Sequence, residues 1–298
     1  MILRGKFQRK LLHNIQVLTL FRCESEVFPY KILKEVPNIE KLVLIDGTFM
    51  DIFKNQSPNN MDYSEELVLQ LKVLHLEFLR GSVSIGLENS WIEPFVRNLE
   101  TLKVIGCGSL KNLVECEVSF CNMTYLKVES CLSLSYLFTS STAKSLSQLK
   151  KMKIKRCEFI EEIVSKEEGE ESDANGIIFP KLSRLNLDCL RNLRKFYRGN
   201  LNFPSLEELS ITNCYNMITL CTGTLKTDML SEVILDGSGV LPLETNLNST
   251  MQKEFLKQVC LIFGKYLFWH FLRVFKKLTF IFVKKERSKN KIMDIKSV

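Results

Sequence analysis

Between residues 126 and 157 the chain alternates apolar and polar positions in two short bursts, Leu126-x-Val128 and Met152-x-Ile154. Each burst is followed three residues later by a cysteine, Cys131 or Cys157. A period of two is that of a half-buried strand. Between the bursts, residues 143–149 place their apolar side chains at helical spacing, with Ser140 and Ser141 positioned to cap them. A strand with a helical return cannot bury its own apolar face, which makes the unit one coil of a solenoid.

The same unit, apolar-x-x-Leu-x-Leu-x-x-Cys/Gly with apolar replacements, starts at Ile15, Ile39, Leu71, Leu99, Met123, Leu149, Leu182, Leu206 and Leu230. Successive starts are 24 to 33 residues apart. The shorter spacings fall within the roughly 20–29 residues of leucine-rich repeats, and the longer ones require insertions. Two stretches qualify: the polar run at 55–64 and the acidic SKEEGEESDANG at 165–176, which reads as a solvated loop. Apolar pairs that follow the strands (Leu110/Leu113, Leu134/Leu137, Ile160/Ile163, Leu193/Phe196) would wall the far side of each coil. Phe-Pro at 179–180 and 203–204 suits strand entry, since proline holds its predecessor extended. The expected fold is an α/β leucine-rich-repeat solenoid of about nine repeats. It carries a curved parallel sheet on the concave face and short helices and loops on the convex face. The expected domains are an N-terminal flank (1–14), the repeats (15–250) and a basic aromatic tail (251–298).

Charge changes this picture only at the tail. Residues 251–298 hold 12 Lys/Arg and 3 Asp/Glu, leaving 29 basic and 31 acidic residues in a nearly neutral body. On a helix over 255–283, Lys257, Lys265, Arg273, Lys276 and Lys277 gather on one side, within an arc of about 200°. Such a basic amphipathic helix caps the last coil, lies on a membrane surface or enters a partner's groove. Its lysines interrupt any run long enough to span a bilayer. No apolar core of a signal peptide follows the basic start at 1–10.

Catalytic chemistry has little to stand on. His13, His75 and His270 lie far apart in solenoid order, and none has a nucleophile beside it. Gly223 to Thr227 lacks both the glycine spacing and the Gly-Lys-Ser/Thr run of a phosphate loop. Cys116, Cys121 and Cys131 have no close fourth ligand for zinc. Cys23, Cys107, Cys131, Cys157 and Cys214 share one repeat position, where small thiols stack from coil to coil. Reduced thiols at a packing position indicate a cytoplasmic chain, so the Asn-x-Ser/Thr triplets at Asn55, Asn122 and Asn248 are taken as chance. Neither metal nor cofactor is implied.

The concave face is the remaining candidate. Thr19, Val43, His75, Lys103, Lys127, Lys153, Asn186, Ser210 and Ile234 occupy the outward middle position of successive strands. Lys103, Lys127 and Lys153 would then stand about 5 Å apart in one column, at a cost in repulsion. Tyr125, Lys151, Lys155 and Arg184 flank it, with some relief from Glu129. The expected partner-binding residues are His75, Lys103, Tyr125, Lys127, Lys151, Lys153, Lys155, Arg184 and Asn186, facing an acidic protein surface. A solvated lysine face is the plain alternative. Nucleic acid does not fit a body without net positive charge.

One order of residues is more specific than any leucine count. It runs through LKVESCLSLSYLFTSSTAKSLSQLKKMKIKRCEFIEEIV (126–164), IIFPKLSRLNLDCLRNLRKFYRGN (177–200) and FPSLEELSITNCYNMITLCTG (203–223). These segments, with LETNLNST at 243–250, resemble the C-terminal leucine-rich-repeat region of plant intracellular immune receptors of the coiled-coil, nucleotide-binding, leucine-rich-repeat type. The resemblance covers about 15–250. It implies a non-enzymatic module in defence that senses a pathogen effector or a guarded host protein, or regulates a nucleotide-binding domain. The family's coiled coil and nucleotide-binding domain have no counterpart here, so the chain reads as a fragment or stand-alone relative of the sensing half. Two other roles share the fold: a substrate adaptor of a ubiquitin ligase, for which residues 1–13 are too short to hold an F-box-like segment, and a membrane-surface scaffold acting through 255–283.

Overall fold

The structure is a computed structural model that describes residues 12–26, 28, 30–49, 70–81, 97–113, 119–166, 176–236, 239–243, 246–257 and 260. Nine parallel strands form one sheet in the order in which they occur in the chain. They are β1 (Val17–Phe21), β2 (Lys41–Ile45), β3 (Val73–Glu77), β4 (Thr101–Ile105), β5 (Tyr125–Glu129), β7 (Lys151–Lys155), β10 (Arg184–Asp188), β12 (Glu208–Thr212) and β14 (Glu232–Leu235). Each coincides with one expected repeat, because two apolar positions separated by one residue can both be buried only in an extended chain. Pairing keeps the register throughout: Leu102 neighbours Leu126, which neighbours Met152, which neighbours Leu185.

Behind the sheet, the second and fourth strand positions join the return path in one apolar core. Leu126, Val128, Cys131, Leu134 and Leu137 of a single coil are all fully buried, as are Leu110, Leu113, Ile160, Ile163, Leu193 and Phe196. At roughly 1.5–3 kcal/mol per large buried apolar side chain, each coil is held mainly by this packing on its neighbours. The return path adds short parallel pairings. β6 (Phe138–Thr139) pairs with β8 (Val164–Ser165), and β9 (Ile177–Ile178), β11 (Leu201–Asn202) and β13 (Leu225–Lys226) form a second small sheet. Phe179, Phe196 and Phe203 fill the space behind it with centroids 5.4 to 5.7 Å apart.

Among the described residues, the helices given complete are α1 (Tyr30–Glu35) and α2 (Ser140–Ser145), and residues 247–257 are also helical. The second starts three residues earlier than its apolar spacing suggests, and its cap is Thr139 rather than Ser140 or Ser141. Thr139 is extended, and its side chain accepts a bond from the Thr142 N–H, leaving Ser140 free to be buried within the first turn. The polar stretch 241–251 is also more ordered than its composition suggests. β15 (Gly239–Pro242) pairs antiparallel with β14 and covers the open edge of the sheet. Asn246 then accepts the Ser249 N–H, and Leu247 and Met251 enter the core.

The packing divides after residue 251 into two units, Met1–Met251 and Gln252–Val298. Within the second unit, the buried Glu254 pairs with Lys257 at 3.2 Å. The helix expected over 255–283 lies almost wholly outside the described residues, as do all of the expected insertion at 55–64 and residues 167–175 of the one at 165–176.

Candidate functional site

Strands of five residues present positions one, three and five to solvent, so the open face of the sheet carries three columns. The middle column follows the expected order, with His75 beside Lys103, Lys103 beside Lys127, Lys127 beside Lys153 and Lys153 beside Asn186. The first column contains Thr101, Tyr125, Lys151, Arg184 and Glu208. The third contains Glu77, Ile105, Glu129, Lys155 and Asp188. The nine expected partner-binding residues therefore share one face across β3, β4, β5, β7 and β10. Lys155 stands apart from the others, in the column that holds the acids.

That third column is what the sequence reading underweighted. Glu129 lies 2.7 Å from Lys127 Nζ and 3.3 Å from Arg156. The bond from Lys127 is the main reason its carboxyl is held below the usual glutamate range. Asp188 sits 3.6 Å from Lys155 and accepts from Thr212 Oγ1 (2.8 Å), Asn213 Nδ2 (3.2 Å) and Cys189 Sγ (3.5 Å). Burial pushes its carboxyl up, but those donors and Lys155 outweigh burial and hold it low. Glu77 lies 3.3 Å from His75 Nε2. The signal was present: the fifth residue of each strand points the same way as the third. Only Glu129 had been noticed.

The basic groups consequently differ in availability. Lys103 Nζ lies over the Tyr125 ring, 5.8 Å from its centroid, a cation–π arrangement. Lys127 and Lys155 are ion-paired, and Arg184 meets Glu208 at 3.0 Å. Lys151 and Lys153 are exposed, and no side-chain partner holds either of them among the described residues. The repulsion between neighbouring ammonium groups in water is only about 1 kcal/mol per pair. Burial of one leucine behind the sheet exceeds it, so the fold tolerates the column without help.

The cysteines are where stacking would put them. Cys107, Cys131, Cys157 and Cys214 are buried, while Cys23 is half-buried. The Cys131 N–H points at Cys157 Sγ (3.5 Å), and Cys131 Sγ reaches back to the Val104 carbonyl (3.9 Å). Burial pushes the thiol of Cys107 up to about 11 and that of Cys214 up to about 12, which leaves negligible thiolate for nucleophilic or metal chemistry. Among the described residues, no three His, Cys, Asp or Glu side chains are grouped to hold a metal. Two of the three Asn-x-Ser/Thr asparagines use their amides structurally: Asn122 donates to the Arg97 carbonyl (2.8 Å), and Asn248 accepts the Leu220 N–H (3.0 Å).

The family comparison agrees with this architecture. Residues 114–233 match a family model described as plant disease resistance protein RPS2-like, leucine-rich repeats. The chain is 24% identical over 226 residues to the disease resistance protein RPS5 of Arabidopsis thaliana, an alignment that covers 68% of this chain and 23% of that protein. Among solved structures, the leucine-rich repeat domain of the type III effector XopL is 16% identical, with a TM-score of 0.45, over 75% of this chain and 77% of that one. An internalin from Listeria monocytogenes is 13% identical, with a TM-score of 0.27, over 78% of this chain and 89% of that one. The nine-stranded solenoid described above is a leucine-rich-repeat fold, and over residues 114–233 it is similar to the leucine-rich repeats of plant disease resistance proteins.

Proposed function

We propose that the chain acts without catalysis, as the recognition part of a plant immune receptor in the cytoplasm, and that it binds an acidic protein surface on the open face of its sheet. The observation that carries this reading is the register that sets Lys103, Lys127 and Lys153 side by side, with Lys151 and Arg184 next to them. Of these five groups, Lys151 and Lys153 have no side-chain partner among the described residues and are the first available to an incoming carboxylate. Long-range attraction then governs the encounter rate, and specificity follows from the pairing of charges across the interface. Two kinds of partner suit a disease-resistance repeat region: a pathogen product or the host protein it modifies, and a nucleotide-binding domain held in check by the repeats. Reduced, buried thiols at the repeat position support a cytoplasmic setting. No helix among the described residues is long and apolar enough to cross a membrane.

Co-precipitation from leaf tissue tests the proposal. The bait is the intact chain or its Lys103→Glu/Lys127→Glu/Lys153→Glu variant, co-expressed with the nucleotide-binding domain of the Arabidopsis relative and, separately, with a panel of bacterial effectors. Association that is salt-sensitive and lost in the variant is expected. Association that is unchanged by the variant, with unchanged salt sensitivity, would remove this face from the account.

A further inference from the structure

The lysine column has a pitch, and the columns beside it have opposite signs. On the reading of this face as a protein-binding surface, we infer that its occupant is an α-helix of the partner lying across β4, β5, β7 and β10, with an acidic stripe on one side and a basic flank on the other. Neighbouring strands of a sheet are about 4.8 Å apart, so Lys103, Lys127 and Lys153 repeat at that interval along the direction the helix would take. Carboxylates at i, i+4 and i+7 of an α-helix rise by about 6.0 and then 4.5 Å, staying in step with three lysines to within roughly 1 Å. Same-face residues of an extended segment repeat at about 6.7 Å and fall out of step by nearly a whole strand over the same distance.

The side columns set the helix's orientation and limits. On one side stand Lys151 and Arg184 in the first column, and on the other Glu129 and Asp188 flank Lys155 in the third, which is acidic on balance, with Glu77 just beyond on β3. A helix centred on the lysines therefore places acid over the first column and base over the third. Its footprint ends where the face changes character. Towards β1 and β2 the exposed positions are mainly uncharged, Val17, Thr19 and Phe21, with Val43 buried and Lys41 the one basic group, and towards β12 and β14 they include Glu208 and Glu232. Three strand intervals span about 14 Å, the length of roughly ten helical residues.

Fluorescence anisotropy on the intact 298-residue chain tests this with three labelled peptides of equal length and charge. The first is an alanine-based helix with glutamates at i, i+4, i+7 and i+11 and lysines opposite. The second is the same helix with the glutamates scattered around it, and the third keeps the stripe but carries a central proline. The expected result is that the striped helix binds about tenfold more tightly than either of the others. The preference should disappear in Lys151→Gln/Lys153→Gln, whose fold is verified by circular dichroism, and persist in the control Lys226→Glu. Three peptides that bind alike, yet weaken with Lys151→Gln/Lys153→Gln, would overturn the helix and leave the acidic-partner reading standing. No binding at all, or binding indifferent to those lysines, would overturn both.

Discussion

After each of the first eight strands of the main sheet the chain passes through one left-handed residue: Arg22, Asp46, Phe78, Gly106, Ser130, Arg156, Cys189 and Asn213, with φ between 50° and 66°. Seven of these eight are not glycine, so the turn itself does not demand one. In the first seven turns the N–H of this residue donates to the last strand carbonyl of the next coil, as Ser130 does to Lys155 at 2.9 Å. That bond offsets the roughly 1–2 kcal/mol of left-handed backbone. Gly106 has a second reason to be glycine, since the Phe78 ring occupies the space a Cβ would take. Gly106→Ala should therefore destabilise the chain by about 1–3 kcal/mol, and by about half that or less in a Phe78→Ala background. Urea midpoints of the four chains decide it. An equal loss in both backgrounds would mean that the ring simply swings aside. His75 yields a second expectation. Burial holds its imidazole below the ordinary value of 6.5, aided by Lys103, Lys41 and Lys127 and opposed by Glu77. The unfolded chain then binds the proton more readily, so this contribution to stability is whole above 6.5 and is lost as the pH falls below it. The depressed carboxyls of Asp46, Glu129 and Asp188 lose theirs only in more acid solution. Between about pH 7.5 and 5.5 the melting temperature should fall, and it should fall less in His75→Asn. An identical fall in both chains would exclude His75 as the cause.

At the scale of the element, strands were the most legible part of the sequence. A Leu-x-Leu pair, or its apolar equivalent, recurring at repeat spacing has one structural solution, and the nine parallel strands fall on it. The same period gave the register of the lysine column, because identical spacing in adjacent coils aligns position three with position three. What escaped was interaction between columns. The acids at position five, and Tyr125 beneath Lys103, matter only once neighbouring strands are side by side. Local pattern also failed at α2, where a side-chain oxygen at Thr139 started the helix ahead of its apolar residues. The Phe-Pro pairs were legible as strand entries but not as core. Phe203 stacks on Phe179 with an interplanar angle of 16° and meets Phe196 edge-on at 88°. Its ring is fully buried between two coils, so Phe203→Ala should cost about 3–5 kcal/mol, against about 1 kcal/mol for Thr139→Ala at the helix cap. Denaturant unfolding that ranks the two in the opposite order would show that the aromatic cluster repacks around the loss.

For the whole molecule, stability is a sum over neighbours, and the ends are where the sum runs short. At the turn that follows β12, the left-handed N–H meets no strand carbonyl of the next coil, β14. Asp236 replaces that carbonyl: its carboxylate accepts the Asn213 N–H at 2.5 Å and the Cys214 N–H at 3.3 Å. β15 shields the exposed edge of β14, and Leu247 and Met251 close the core below. Removing the carboxylate with Asp236→Ala leaves two N–H groups unsatisfied, a loss of about 1–3 kcal/mol. In a chain of nearest-neighbour contacts that loss stays local. Amide exchange should quicken about tenfold in the coils of β12 and β14 while β4, β5 and β7 keep their protection. Leu126→Ala, in the middle, removes packing from both neighbouring coils and should lower protection on either side of β5. Hydrogen exchange read strand by strand separates these patterns. If Asp236→Ala loosened β4 as much as β12, the nine coils would open together, and the last turn would govern the stability of the lysine face five strands away.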